Sequence, residues 1–273
     1  MTTDRSTRLA VSRRLFAAAT ALALAGCGGG GSAGAPPPAP VPPPPPPPDP
    51  RPSGLYIGTM TRTTNGVAAQ NPLQMLALSD DSLWMFYTRT YAGVLILEGF
   101  IECQASYGAG TLQSSNLADP NNGIGPGTLT GTFAADGSIT ARGVDPVRTI
   151  DFAASKAAAA TFDPAATATL ADVSGNWPAT GINGLPGTLD ISTGGALTGL
   201  YNGGAITGTV APRAAGGNVF DVQVTFADSL SQLDGVTFAG IAWRSALADG
   251  TAQFIWAGVS ADRQVFAGML GVR

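Results

Sequence analysis

Seven Asn-Gly or Asp-Gly pairs are spread along this chain, at Asn65-Gly66, Asn122-Gly123, Asp136-Gly137, Asn183-Gly184, Asn202-Gly203, Asp234-Gly235 and Asp249-Gly250. Both residues of such a pair take positive φ at little cost, which is what a two-residue hairpin turn requires. The segments between them are short and apolar, and few carry a helical period. The clearest is Val219–Phe226, where Phe220, Val222, Val224 and Phe226 share one face and Asp221, Gln223 and Thr225 the other. That alternation predicts a half-buried antiparallel strand. Sequential hairpins follow, rather than parallel units joined by crossover helices. The one helix-permissive stretch, Ala153–Ala160, also reads as strand or loop.

Counting strands predicts an all-β protein: an antiparallel meander of two small eight-stranded, barrel-like lobes after a disordered N-terminal region. The first lobe spans 53–165, with strands at Leu55–Thr61, Leu73–Leu78, Leu83–Arg89, Val94–Ser106, Thr111–Ser114, Thr128–Ala134, Ser138–Val144 and Arg148–Ala153. The second spans 166–273, with strands at Asn176–Thr180, Thr188–Ser192, Leu197–Tyr201, Ala205–Ala211, Val219–Phe226, Val236–Arg244, Thr251–Val259 and Gln264–Leu270. Closing such a sheet removes exposed edges. A sandwich, or one larger sheet built from both halves, is the alternative. A faint repeat supports two lobes. Ser53-Gly54-Leu55-Tyr56-Ile57-Gly58-Thr59 echoes Ser174-Gly175-Asn176-Trp177-Pro178-Ala179-Thr180, and Gly127–Gly131 echoes Gly195–Gly199. The two offsets differ, which would require long insertions.

Residues 1–52 have another character. Arg5, Arg8, Arg13 and Arg14 precede an apolar run, Leu15–Ala25, far shorter than the ~20 residues of a spanning helix. This is the layout of an export signal. Leu24-Ala25-Gly26-Cys27 resembles a bacterial lipobox. The resemblance implies a signal peptide over 1–26, diacylglycerol on the Cys27 sulfur, and a mature chain beginning at Cys27. Ser12-Arg13-Arg14-Leu15-Phe16 resembles the core of a twin-arginine signal, with Sec export as the alternative. Each buried methylene contributes ~0.8 kcal/mol, so several acyl chains anchor stably where one does not. Gly28 stands where an Asp would retain a lipoprotein at the inner membrane, which favours the cell outer membrane. Residues 27–52 form the linker, a Gly/Ser-rich piece followed by a proline run from Pro42 to Pro48. Proline has no N–H and a fixed φ, so Pro36 to Pro52 predicts a polyproline II spacer of roughly 50 Å at ~3.1 Å per residue.

The remaining chemistry is sparse. Residues 1–26 hold four of the 14 basic and one of the 18 acidic side chains, so the rest carries ten basic and seventeen acidic, a net of −7. Lys156 is the only lysine. Such a body has no electrostatic footprint for nucleic acid. The chain has no histidine, which excludes Ser-His-Asp and Cys-His sites and His-ligated zinc within it. There is no Gly-x-Ser-x-Gly elbow and no phosphate-binding Gly-Lys-Ser/Thr loop. Cys103 alternates with Ile101 and Ala105 and reads as a small buried hydrophobe, an intermolecular disulfide being the alternative. Glu98 and Glu102 fall on one strand face roughly 13 Å apart at ~3.3 Å per residue, too far to act as a glycosidase pair. Asp119-Pro120-Asn121-Asn122-Gly123 reads as a turn; it lacks the ligand spacing of a calcium loop. The aromatic segment Leu83–Tyr91 would be a partner site if exposed and core if buried. No enzyme activity, cofactor or metal is expected.

Three resemblances complete the reading. The order of lipobox, proline spacer, Ser53–Gly58, Leu83-Trp84-Met85-Phe86-Tyr87 and Thr169–Trp177 resembles a group of uncharacterised bacterial lipoproteins. That likeness implies a cysteine pair in the second half, which this chain lacks. At fold level the lobes resemble the barrels of transferrin-binding lipoproteins. Gly175-Asn176-Trp177 resembles the opening of lipocalin and avidin-type barrels, although Pro178 departs from it. The implied function is a lipid-anchored, non-enzymatic envelope protein, structural or contacting another envelope protein. The alternative is a barrel that carries or senses a small ligand.

Overall fold

Gly54 and Gly175 open the two halves of the body, each at a φ (+100° and +109°) that a side chain resists. The computed structural model describes residues 51–119, 126–227 and 233–273. After Gly54 come β1 (Gly54–Thr64), β2 (Val67–Ala77), β3 (Ser82–Tyr91), β4 (Val94–Gln104), β5 (Ser106–Gly108), β6 (Thr111–Leu117), β7 (Gly127–Phe133), β8 (Ser138–Val144) and β9 (Arg148–Lys156). After a short helix, α1 (Leu170–Val173), Gly175 begins β10 (Gly175–Gly181), followed by β11 (Pro186–Ile191), β12 (Ala196–Tyr201), β13 (Gly204–Pro212), β14 (Val219–Ala227), β15 (Thr237–Ala246), β16 (Ala252–Val259) and β17 (Phe266–Val272). The body is antiparallel throughout, as the turn chemistry predicted. Asn65-Gly66 (φ 50° and 78°) and Asn202-Gly203 (φ 49° and 87°) make two-residue turns. Ala92-Gly93 and Ala109-Gly110 take the same left-handed pair of conformations without Asn or Asp. Asn122-Gly123 lies outside the described residues, as does the whole N-terminal region through Pro50.

The second half is a closed barrel in the order β10 to β17, with β17 returning to β10. Its interior is filled by Trp177, Leu189, Ile206, Phe220, Val222, Val224, Phe226, Phe238, Phe254, Trp256 and Met269. The first half is curled but does not close into a second barrel as the strand count predicted. It is a nine-stranded sheet in the order β4-β3-β2-β1-β9-β8-β7-β6-β5, and its two end strands are consecutive in the chain, separated by Ala105 alone. The segment predicted as one strand, Val94–Ser106, is thus broken there. β4 pairs with β3, and β5 pairs with β6. Across the seam, β4 and β6 are joined by the isolated bridge between Glu102 and Ala118. The break has a local cause: the Gln104 amide donates to the Asn116 side-chain Oδ1 (2.9 Å), so a side chain replaces a ladder carbonyl. This rolled sheet encloses its own core, including Tyr56, Met60, Met75, Met85, Tyr87, Ile101, Leu129 and Phe152.

A third core joins the halves. Leu55, Leu76, Trp84, Phe86, Leu97 and Phe100 of the outer face of β1–β4 pack against Val219, Ile241, Trp243, Ile255, Ala257 and Leu270 of the barrel wall. The Phe86 and Trp243 ring centroids lie 4.4 Å apart. The segment Leu83–Thr88 is therefore core on both faces, and Arg89, Thr90 and Tyr91 at its end are exposed. β9 ends at Lys156 and β10 starts at Gly175, so the predicted boundary near 165 falls between the sheets; the described residues nevertheless form one compact unit. Ala153–Ala160 is not helix: the strand runs to Lys156. The first repeat is structural, since Tyr56 and Trp177 occupy matching inward positions on β1 and β10. The second pairs β7 with β12, which hold different places in their sheets, so no insertions are needed.

Candidate functional site in the cleft between the lobes

Inward residues of β15 and β16 fill the barrel, so the alternate ones, Ser245 and Gln253, point at the first lobe. On β2 the same alternation sends Leu73 and Met75 inward and Gln74 outward to meet them. The Gln74 Nε2 donates to Gln253 Oε1 at 3.0 Å, and the Ser245 hydroxyl donates weakly to the same oxygen at 3.4 Å. Gln253 is wholly buried. Its Nε2, and the Oε1 of Gln74, are buried with no hydrogen-bond partner in the protein. An unsatisfied buried polar atom of this kind costs about 1–3 kcal/mol.

These groups line a cleft of about 400 Å³ whose walls include Leu55, Ile57, Ala160, Thr161 and the β15–β16 turn from Ala246 to Ala248. The Ala246 amide donates to the Thr161 carbonyl at 3.0 Å, tying the connecting segment to the rim. No lining residue is ionisable. A larger, more open groove of about 680 Å³ lies between Val94–Leu95 and Pro178–Thr180, with Leu270 and Val272 in its wall.

The charged residues do other work. Arg148, with its side chain 2% exposed, bonds Asp145 (2.5 Å) and Asp119 (3.1 Å) at one end of the first lobe. The Arg62 guanidinium lies 4.6 Å from the Tyr87 ring centroid beside this cluster. Arg263 reaches from the β16–β17 turn to Glu102 (Nε to Oε1, 2.8 Å), and Arg213 reaches Asp80, so both are clamps between the halves. Burial pushes the Glu102 carboxyl above its ordinary value, although Arg263 pulls the other way. Glu98 and Glu102 do not share a face as the alternation suggested. Gly99 sits opposite Tyr87 and Leu97 opposite Thr88, so Glu98 is the extra residue of a bulge. Its partners are Arg89 (2.9 Å) and Asn71. Asp119 is buried in the Arg148 cluster rather than standing in an open turn, while Pro120–Gly123 lie outside the described residues.

Cys103 is buried, and burial pushes its thiol up to about 12, with the Ser114 hydrogen bond only partly opposing. It is the small apolar residue expected and unsuited to an exposed disulfide. Trp177 is wholly buried inside the barrel near one end. Its indole N–H donates to the Val173 carbonyl (2.7 Å), so α1 caps that end. The Arg273 guanidinium stacks 3.9 Å from its ring centroid and donates to the Ser174 carbonyl at 2.9 Å. Neither the short helix nor the arginine was anticipated; Thr169-Leu170-Ala171-Asp172 was the available signal, with Thr169 donating to Asp172 at 2.7 Å. Gln74 and Gln253 were likewise missed, because a glutamine in an apolar strand carries no motif. The residues predicted for export and lipidation, Ser12, Arg13, Arg14, Phe16, Leu24, Ala25, Gly26 and Cys27, lie outside the described residues. Among the described residues no group of acidic or cysteine side chains is placed to hold a metal, and no helix is long and apolar enough to cross a membrane.

Comparison with family models finds no match, and neither does comparison with curated proteins. Among solved structures, the chain is similar to a protein of unknown function from the DUF3598 family of Nostoc punctiforme PCC 73102, with 12% identity over 81% of this chain and 94% of that one and a TM-score of 0.27.

Proposed function

We propose that this chain is a lipid-anchored protein of the bacterial envelope, held at the outer membrane by acyl chains on Cys27 and lifted from the lipid surface by its proline spacer. The observation that carries this reading is the order of parts: basic segment, short apolar run, Leu24-Ala25-Gly26-Cys27, Gly/Pro-rich linker, then folded body. The anchored body acts by binding rather than catalysis, as a structural or protein-contacting module belonging to the lipoprotein group it resembles. In support, the chain has no histidine, its described cysteine is buried with a depressed acidity, and several of its carboxylates are held in ion pairs.

Metabolic labelling with an alkyne-bearing fatty acid, comparing the native chain with Cys27→Ser, tests the anchor. Label on the native protein alone, with loss of Cys27→Ser from the membrane fraction, is expected. A native protein that keeps residues 1–26 and takes no label overturns it. A second reading, a carrier of a small molecule, is favoured by one observation: a cleft between the lobes with unpaired buried amides at its wall.

A further inference from the structure

We infer that the cleft between the lobes binds a small neutral molecule through a cis-amide edge, a lactam or primary amide in which an N–H and a C=O lie side by side, joined to an apolar body. The inference rests on the carrier reading of the folded body and is independent of the lipid anchor.

Three observations select this chemistry. The wall contains no ionisable side chain, so a charged ligand would lose its hydration with no opposite charge to replace it. The two groups left unpaired are one donor, Gln253 Nε2, and one acceptor, Gln74 Oε1. They belong to two amides already joined by one hydrogen bond, so the free donor and acceptor belong to directly linked side chains. A ligand edge offering one acceptor and one donor pairs with both. The other walls, Leu55, Ile57, Ala160 and Leu247, are apolar. The volume, about 400 Å³, is in the ordinary range for small-molecule sites and exceeds what the polar edge alone would fill. Both amide atoms lie behind the surface, and a glutamine's terminal torsion is soft, so a modest turn of each amide presents them to the cleft.

The site is separate from the barrel interior, which is occupied by Trp177, Phe254, Trp256 and their neighbours. It is built by both lobes, since Gln74 comes from one and Gln253 from the other. This explains why a glutamine is placed at the second position of an otherwise apolar buried strand, β16.

The test uses ligand-observed NMR on the folded chain with two probes of the same shape: δ-valerolactam, which offers both acceptor and donor, and δ-valerolactone, which offers acceptors only. Saturable binding of the lactam, with the lactone at least about tenfold weaker, is expected, because a site built around a hydrogen bond rejects the analogue that lacks it. Gln253→Leu should lose at least about tenfold in lactam affinity, and Gln74→Leu should bind lactam and lactone alike. Circular dichroism shows whether each variant is folded; Gln253→Asn replaces Gln253→Leu, and Gln74→Asn replaces Gln74→Leu, where the Leu variant is not. If the cleft takes lactone as well as lactam, the carrier reading survives and the amide chemistry is overturned. If it takes neither, or water alone occupies both amides in a crystal grown with the lactam, both are overturned.

Discussion

Burial fixes what single residues here can do. The apolar core around Cys103 raises its thiol pKa from the ordinary 9.0 to about 12. The folded state therefore holds the thiol proton more tightly than the unfolded chain does. Its contribution is fully present below the unfolded value and is lost as pH rises from about 9 through about 12. We expect no alkylation of Cys103 by iodoacetamide in the folded protein at mildly alkaline pH and complete alkylation once urea unfolds it; mass spectrometry reads both. Arg148 illustrates the other kind of buried group. Removing it takes the nearest cation from the buried carboxylates of Asp119 and Asp145, with side chains 3% and 7% exposed, and leaves the Arg62 guanidinium 3.9 Å from Asp119. Arg148→Met should therefore cost about 3–5 kcal/mol in urea unfolding, the usual loss when one member of a buried ion pair is deleted. The sequence carried the burial of Cys103 in its alternation with Ile101. Asp145 and Arg148 share one turn, but the sequence carried nothing of the bond from Arg148 to Asp119, which lies beyond β6 and meets it only in the fold.

At the scale of elements, alternation and turn residues made the strands legible. β14 was predicted almost to its ends, and the eight strands of the closed barrel were each anticipated. The turns at Ala92-Gly93 and Ala109-Gly110 carry a weaker signal, because alanine seldom adopts positive φ and only the glycine hints at it. Glycines inside strands have a different cause. A Cβ on Gly58 would sit 1.9 Å from the Ala153 carbonyl oxygen, so β1 can bend around the first lobe only where that side chain is missing. Gly58→Val should unfold the protein at a markedly lower temperature, read by a thermal melt. The seam between β4 and β6 was invisible in the sequence, since Gln104, Ala105 and Asn116 are unremarkable in a strand. One bridge and one side-chain bond hold it. Backbone amides of β5 should therefore exchange with deuterium faster than those of β13 and β14, where the ladder is continuous. Equal protection would mean that the seam is as firm as the rest.

The whole molecule is organised by the core between its lobes. Trp84, Phe86 and Phe100 on one side and Trp243 and Ile255 on the other are buried only because the second sheet is there. Trp243→Ala should cost about 3–5 kcal/mol, and far-UV and tryptophan signals should report a single coincident unfolding transition. A fragment of residues 53–165 would uncover that aromatic face and should not be monomeric in size-exclusion chromatography. A hint of this face stood in the sequence: Leu83–Tyr87 and Phe254–Ala257 are unbroken apolar runs, where a strand facing water on one side alternates. The sequence by itself determined the class of structure, because period-two alternation and left-handed turn pairs act over a few residues and need no distant partner. Only the tertiary structure decided which strands close, where the first sheet breaks, and that Gln74 and Gln253, 179 positions apart, should meet. Such pairings depend on which faces pack against one another, and that is settled by the shape of the assembled sheets rather than by any local pattern.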